Sequence, residues 1–209
     1  DGHDHAPAAV EAGACALVLE RAVAMPGVPQ LLVRSARPAL AASAAWFEDD
    51  PSHRLGVVGV TGTDGKTTTA YLVRSMLEAC GLPAGMLGTI DVIVGGRSLG
   101  NPGRATTPEA PELQARLREM VEADDRFAVV EATSHGLAQD RVADVAWDVA
   151  GHTNVTHEHL EFHRTPEAYR VYDGRGATID VRHAYDRCLT IDASYVIVRG
   201  LTLKGAGNA

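Results

Sequence analysis

The chain has no basic run, no apolar stretch long enough to cross a bilayer, no signal-peptide pattern and few cysteines. Each lack removes a class of function. A formal net charge of −8 offers nothing for a nucleic-acid backbone or an anionic lipid surface to hold, so neither nucleic acid nor membrane insertion is expected. Any binding of phosphate must therefore come from local geometry. Cys15, Cys80 and Cys188 are odd in number, far apart and without metal-ligand spacing, which fits a reducing cytoplasm rather than a disulfide framework. Up to about residue 170 there is no internal repeat or low-complexity tract. No initiator methionine precedes Asp1, and the chain reads as a fragment. What is present is enough for a core: 209 residues, 45% hydrophobic, with room for one to two soluble domains.

The stretch from Val57 to Thr69 organises the rest. Val57, Val58 and Val60 read as a buried β-branched strand. Gly62, Thr63, Asp64 and Gly65 read as a turn, and Lys66, Thr67 and Thr68 open a helix. Strand, glycine turn and helix in this order make a phosphate-binding loop, in which backbone amides converge on an anion at the positive end of the helix. Lys66 is placed for the outer phosphates and the Thr67 hydroxyl for a Mg²⁺ bridging them. The strict form of the motif is missed, because Val60 stands where its first glycine belongs. A plain strand-turn-helix with a solvated lysine is the competing explanation.

Before this loop the chain alternates helix and strand. A helix is expected over Ala6 to Gly13, a buried strand at Ala16 to Leu19, a turn at Met25 to Pro29, a strand at Leu31 to Val33 and a helix from Ala36 to Phe47. Glu48 to Ser52 reads as a polar linker, putting a domain boundary near residue 53. After the loop, a helix is expected to bury Val73, Met76, Leu77 and Cys80, and Gly85 to Leu99 reads as a hairpin turning at Gly95-Gly96. A further helix with Leu113, Leu117, Met120 and Val121 inward follows a loop containing Thr106, Thr107 and Glu109, where Thr106 with Glu109 fits a capping box. Phe127 to Val130 is a buried strand ending in Glu131, and a last strand lies near Asp148 to Ala150. Ligands gather at the carboxyl ends of strands in open α/β sheets, which makes Glu131 a candidate for holding a nucleotide's metal. The fold expected is α/β: a phosphate-loop, doubly wound, mostly parallel sheet, preceded by a partial α/β N-terminal domain and followed by a short β-rich tail.

Four strings occur in order: the phosphate loop, Thr106-Thr107-Pro108-Glu109, the Glu131 to Arg141 run containing Ser134-His135, and His157-Glu158-His159-Leu160 with His163. Together they resemble the Mur ligases of peptidoglycan synthesis, most closely the UDP-N-acetylmuramoyl-tripeptide synthetase (MurE) type. The Asp1-Gly2-His3-Asp4 start resembles the N-terminal uridine-binding domain of that family. The resemblance implies a cytoplasmic bacterial, monomeric enzyme that uses ATP and Mg²⁺. Such an enzyme joins the third amino acid to UDP-MurNAc-L-Ala-D-Glu through an acyl phosphate. It implies that Gly62, Thr63, Asp64, Gly65, Lys66, Thr67 and Thr68 hold the triphosphate, with Lys66, Glu131 and His159 catalytic. Thr67, Glu131 and His159 would serve the metals, and Thr106, Thr107, Thr133, Gln139 and Arg141 the peptide substrate. Ala105 stands where the family commonly has asparagine, and Thr133 replaces a serine while keeping the hydroxyl. His135 is expected to pack and orient its turn. Other readings are another step of the same pathway, a non-catalytic nucleotide-binding module, and a zinc hydrolase built on His152, His157, His159 and His163.

The resemblance stops near residue 170. Asp173 occupies the place of a lysine that the family carbamylates, and its arm is much shorter. Runs such as Thr178-Ile179-Asp180 and Thr190-Ile191-Asp192 instead resemble rungs of a parallel β-helix. The domains expected are 1–52, a partial N-terminal unit; 53–170, a partial ATP-binding unit; and 171–209, a foreign or divergent tail, as in a chimera. Such a fragment is expected to bind nucleotide weakly and to turn over nothing.

Overall fold

The computed structural model describes residues 2–101, 103 and 105–154, together with the backbones of four three-residue strands between 171 and 204. A 3-10 turn at Gly2–His5 leads into α1 (Ala6–Glu11), and β1 (Leu17–Leu19) pairs in parallel with β2 (Gln30–Leu32) as a separate two-stranded sheet. Leu17 and Leu19 pack on Ala6, while Val18 is 47% exposed. The strand is therefore half-buried, not wholly buried as the apolar run predicts, because alternate side chains of a strand face opposite ways. Helix α2 spans Ala36–Phe47, the bounds the sequence predicts.

The polar run that follows is not a free linker. Asp49 and Asp50 take left-handed backbone angles, φ 63° and 46°, and Pro51–Arg54 forms a 3-10 turn with Pro51 and Ser52 buried. The Ser52 hydroxyl accepts the Ala146 amide at 3.0 Å, so the carboxylates face water while the backbone packs.

The main sheet follows. Its elements are β3 (Gly56–Thr61), α3 (Lys66–Ala79), β4 (Ala84–Leu87), β5 (Val92–Val94), β6 (Arg97–Ser98), α4 (Ala110–Glu122), β7 (Phe127–Glu131), α5 (Ser134–Ala138) and β8 (Val149–His152). The strand order is β6-β5-β4-β7-β3-β8. The four strands β4, β7, β3 and β8 run parallel, and β5 and β6 add an antiparallel edge. Val57, Ala128 and Val130 face Leu113, Leu117 and Met120 of α4, while Val60, Met86 and Val129 face Ala70, Val73 and Leu77 of α3. A parallel sheet covered on both faces needs strands that are apolar throughout, and β4 and most of β7 are.

Two details of α3 depart from expectation. Met76 is 60% exposed and Cys80 is exposed. The inward stripe is Ala70, Val73 and Leu77; Met76 lies about a quarter-turn off it, and Cys80 is already the C-cap. Helix α2 packs on α4 through Ala41, Ala44 and Ala110, small residues that let the two backbones approach. Further on, β9 (Val171–Asp173) pairs in parallel with β11 (Ile197–Arg199), and β10 (Thr178–Asp180) with β12 (Thr202–Lys204). The pairing is parallel, as between stacked rungs, rather than antiparallel as in a hairpin.

Leu117 is 0% exposed at the centre of the larger cluster, so Leu117→Ala is expected to lower the unfolding free energy by about 2–5 kcal/mol in urea titration. A loss below about 1 kcal/mol would show that this face does not pack as described. Asp125, 6% exposed, accepts the Gly95 amide at 2.9 Å. Burial lifts its carboxyl above the ordinary range, the Gly95 amide pulls it back, and Glu78 adds repulsion. The folded state thus holds this proton more tightly than the unfolded state. The resulting stability is present below the ordinary carboxylate pKa and is lost as pH rises through the raised value. Asp125→Asn keeps an oxygen for Gly95 and is expected to match the parent's denaturation midpoint at low pH and exceed it near neutrality.

Candidate active site

Because β3, β4 and β7 are parallel neighbours, their carboxyl ends open onto one edge of the sheet. Glu131, the last residue of β7, is 0% exposed. A carboxylate so buried is tolerable only with strong partners. Its Oε2 accepts the hydroxyls of Thr67 at 2.9 Å and Thr89 at 3.0 Å, and its Oε1 accepts the Thr89 amide at 3.0 Å. Thr67 comes from the first turn of α3, and Thr89 from the loop after β4. Gly88 leaves room for this carboxylate, since a Cβ there would run into Glu131 Oε1 and push it from its partners.

The phosphate loop lies beside this cluster. Gly62 and Gly65 take φ 132° and 80°, and Gly65 is the N-cap of α3. Lys66 Nζ donates to the carbonyls of Gly62 at 2.8 Å and Thr63 at 2.7 Å, so the ammonium lies over its own loop. The loop amides divide into two groups. Those of Thr63 and Asp64 donate to Asn154, to its backbone oxygen at 2.9 Å and its Oδ1 at 3.0 Å. The first amide bonded back into the helix is that of Thr69, to Gly65 at 2.9 Å. The amides of Lys66, Thr67 and Thr68 precede it, at the end of a helix where an anion binds.

A second group of residues sits on the other side of Glu131. Thr107, 1% exposed, donates its hydroxyl to the Glu131 carbonyl at 2.8 Å and accepts the Thr133 amide at 2.9 Å. With its proton committed, Thr107 accepts the Thr133 hydroxyl, 3.1 Å away. Thr133 Oγ1 also caps α5 by accepting the Gly136 amide at 3.0 Å. The Arg141 guanidinium donates to the Thr107 carbonyl at 2.8 Å and to Gln139 Oε1 at 2.7 and 3.1 Å, and pairs with Glu109 at 2.9 Å. Thr106 joins the first group through the Thr89 hydroxyl at 3.0 Å.

The capping box at Thr106 and Glu109 does not form. Glu109 is itself the N-cap of α4, makes no side-chain cap bond and turns to Arg141. Pro111, in the first turn, has no amide to satisfy, which lessens the need for a cap. His159 lies outside the described residues, as do His157 and His163. Sequence reasoning missed Thr89, Asn154 and Asn101, whose Nδ2 donates to the carbonyls of Gly88 at 3.0 Å, Thr89 at 3.1 Å and Ala105 at 3.0 Å. Thr89 was legible in principle as the residue after a strand-ending glycine, but Gly85 to Leu99 read as one continuous hairpin hid the end of β4 at Leu87.

Thr67 and Glu131 present a hydroxyl and a carboxylate 2.9 Å apart beside a helix N-terminus, hard oxygen donors of the kind Mg²⁺ takes. The residues fit that ion. Residues 60–172, which include Thr67 and Glu131, match the Mur ligase middle domain. The chain belongs to the Mur ligase family. It is 52% identical over 175 residues to the UDP-N-acetylmuramyl-tripeptide synthetase of Roseiflexus sp. (strain RS-1), covering 81% of this chain and 34% of that protein. Among solved Mur ligases, a UDP-N-acetylmuramoyl-L-alanyl-D-glutamate–2,6-diaminopimelate ligase superposes with a TM-score of 0.66 at 25% identity, over 85% of this chain and 37% of the other. The MurF ligase of Thermotoga maritima in complex with ADP gives 0.50 at 27% identity, over 81% and 35%. The chain thus spans about a third of the length of the Mur ligases it matches.

Thr107→Val keeps the shape of the Mur ligase core but strands the Glu131 carbonyl and the Thr133 amide. It is expected to cost about 1–3 kcal/mol in chemical denaturation; a neutral substitution would mean that these bonds do not hold the two loops together.

Proposed function

We propose that this chain carries part of an ATP-dependent ligase that adds the third amino acid to UDP-MurNAc-L-Ala-D-Glu, activating the peptide carboxylate as an acyl phosphate. The observation that carries this reading is the Thr67 hydroxyl on the Glu131 carboxylate at 2.9 Å, beside the loop of Lys66. In this reading Gly62, Thr63, Asp64, Gly65, Lys66, Thr67 and Thr68 form the triphosphate site. Lys66 moves from its loop carbonyls to the γ-phosphate, where its charge meets the negative charge of transfer. Thr67 and Glu131 would hold the Mg²⁺, with Thr89 a third oxygen in reach; when bound, the ion would supply positive charge against the phosphates. His159 serves a second ion.

On the substrate side, Thr106, Thr107, Thr133, Gln139 and Arg141 receive the D-Glu end, and the Arg141 guanidinium suits a carboxylate. The name of the Roseiflexus relative supports the tripeptide step. The organisation we propose is an N-terminal unit over 1–52, a nucleotide-binding unit over 53–170 and a separate tail over 171–209. The match to the family, ending at residue 172, supports that last boundary. Among the described residues no helix is long and apolar enough to cross a membrane. The whole enzyme is assigned, as a monomer, to the bacterial cytoplasm on its resemblance to the family. The chain is assigned Mg-ATP binding.

Titration calorimetry of the purified chain tests this. Mg-ATP is expected to bind, Lys66→Ala to abolish the signal, and Glu131→Gln to weaken binding at least about tenfold in Mg²⁺ but hardly at all in EDTA. Equal affinity of all three proteins in Mg²⁺ sinks the assignment.

A further inference from the structure

Beneath the phosphate loop, the two residues after β8 make a dense set of contacts. Asn154 Oδ1 accepts the Asp64 amide at 3.0 Å, its Nδ2 donates to the Asp64 carbonyl at 3.2 Å, and its backbone oxygen accepts the Thr63 amide at 2.9 Å. The Thr153 hydroxyl reaches the same Asp64 carbonyl at 2.6 Å and the Thr61 carbonyl at 3.2 Å. Approach is close enough to fix the residue type above it. A Cβ at position 62 would strike Thr153 Oγ1 and come within 2.8 Å of the Asn154 carbonyl, at a φ of 132° that side chains rarely adopt.

We infer that Thr153 and Asn154 form a clamp, with Asn154 the positioning residue that sets which loop amides face the nucleotide. The clamp holds the Thr63 and Asp64 amides on the protein side. The anion is left to the remaining amides, among them those of Lys66, Thr67 and Thr68, and to the lysine, while Thr63 and Asp64 shape the triphosphate site without turning their amides to it. This rests on the nucleotide-binding reading above. Asn154 touches neither Lys66 nor Glu131 in any of these bonds, so it acts through the loop backbone. Freed of the clamp, the Asp64 peptide turns more readily, and binding must then order it again.

The test combines amide hydrogen exchange by NMR with Mg-ATP titration on the full chain. In Asn154→Ala, exchange at Asp64 is expected to quicken at least about tenfold. Thr63, bonded to the backbone oxygen that the variant keeps, should stay protected. General loosening would speed both amides equally, so the ratio separates positioning from mere instability. Asn154→Asp, which keeps an oxygen for Asp64, should restore the protection. The dissociation constant for Mg-ATP should rise about tenfold in Asn154→Ala.

Thr153→Val removes only the hydroxyl; it should weaken binding about threefold and carries the test if Asn154→Ala does not fold. Unchanged Asp64 protection in Asn154→Ala overturns the clamp, as does unchanged affinity once protection is lost. If the parent chain binds no nucleotide, the ligase reading falls, while the exchange ratio still decides whether the clamp exists.

Discussion

A buried carboxylate at the end of a central strand constrains everything around it. Glu131 is wholly covered, and water cannot solvate it; the Thr67 hydroxyl, the Thr89 amide and the Thr89 hydroxyl take that part. These donors come from the first turn of α3 and from the loop after β4, so β3, β4 and β7 must end level with one another. The register does this: Val60 pairs with Glu131, and Leu87 with Val130. Slipping β7 by one residue would turn Glu131 to the opposite face and bring a valine or alanine to the cluster. The apolar alternation that fills both faces of the sheet is thus also what aims the one acid.

Glu131 joins the two halves of the site. Its side chain holds Thr67 and Thr89 on the phosphate side, and its backbone carbonyl holds Thr107 on the other. From Thr107 the bonds run to Thr133, and from the Thr107 carbonyl to Arg141, which Glu109 and Gln139 keep in place. Glu109 also lies 3.7 Å from Arg37 of α2, tying the N-terminal helix to the same corner. That pair is half-exposed and adds little stability by itself. The geometry differs from a loose collection of threonines. Each hydroxyl is already committed in a direction, so a ligand meets a surface whose donors and acceptors are fixed in advance.

Much of this was legible in the sequence, and the reasons differ from place to place. The geometry of the Val57 to Thr69 loop was legible because strand, glycine turn and helix start each leave a strong local trace there. Helix α2 was read to the residue because its alanines have no other good home. The place of Glu131 at the carboxyl end of β7 was legible because it follows a run of apolar residues. What escaped was set by neighbours distant in sequence. Glu109 fits a capping box by spacing, yet a guanidinium 2.9 Å away outcompetes a cap bond in the folded chain. Glu48 to Ser52 looked like a linker because composition reports side chains, and here the backbone and Ser52 do the packing. Met76 read as core because an apolar residue at helical spacing is ambiguous near the edge of a stripe.

Strand β8 shows the same limit from another side. It pairs with β3 over Val149 to His152, is exposed along most of its length and contributes little to either core cluster. Judged by burial alone, such an edge strand has weak reason to hold one register. Its register nevertheless matters, because pairing Thr61 with His152 brings Thr153 and Asn154 directly under the loop that Thr61 begins. There the hydrogen bonds to Thr63 and Asp64 supply the specificity that apolar packing does not. The loop and the strand end therefore define each other: Gly62 leaves the space, and Thr153 and Asn154 fill it. A phosphate loop owes its shape to what lies beneath its backbone as much as to its own glycines.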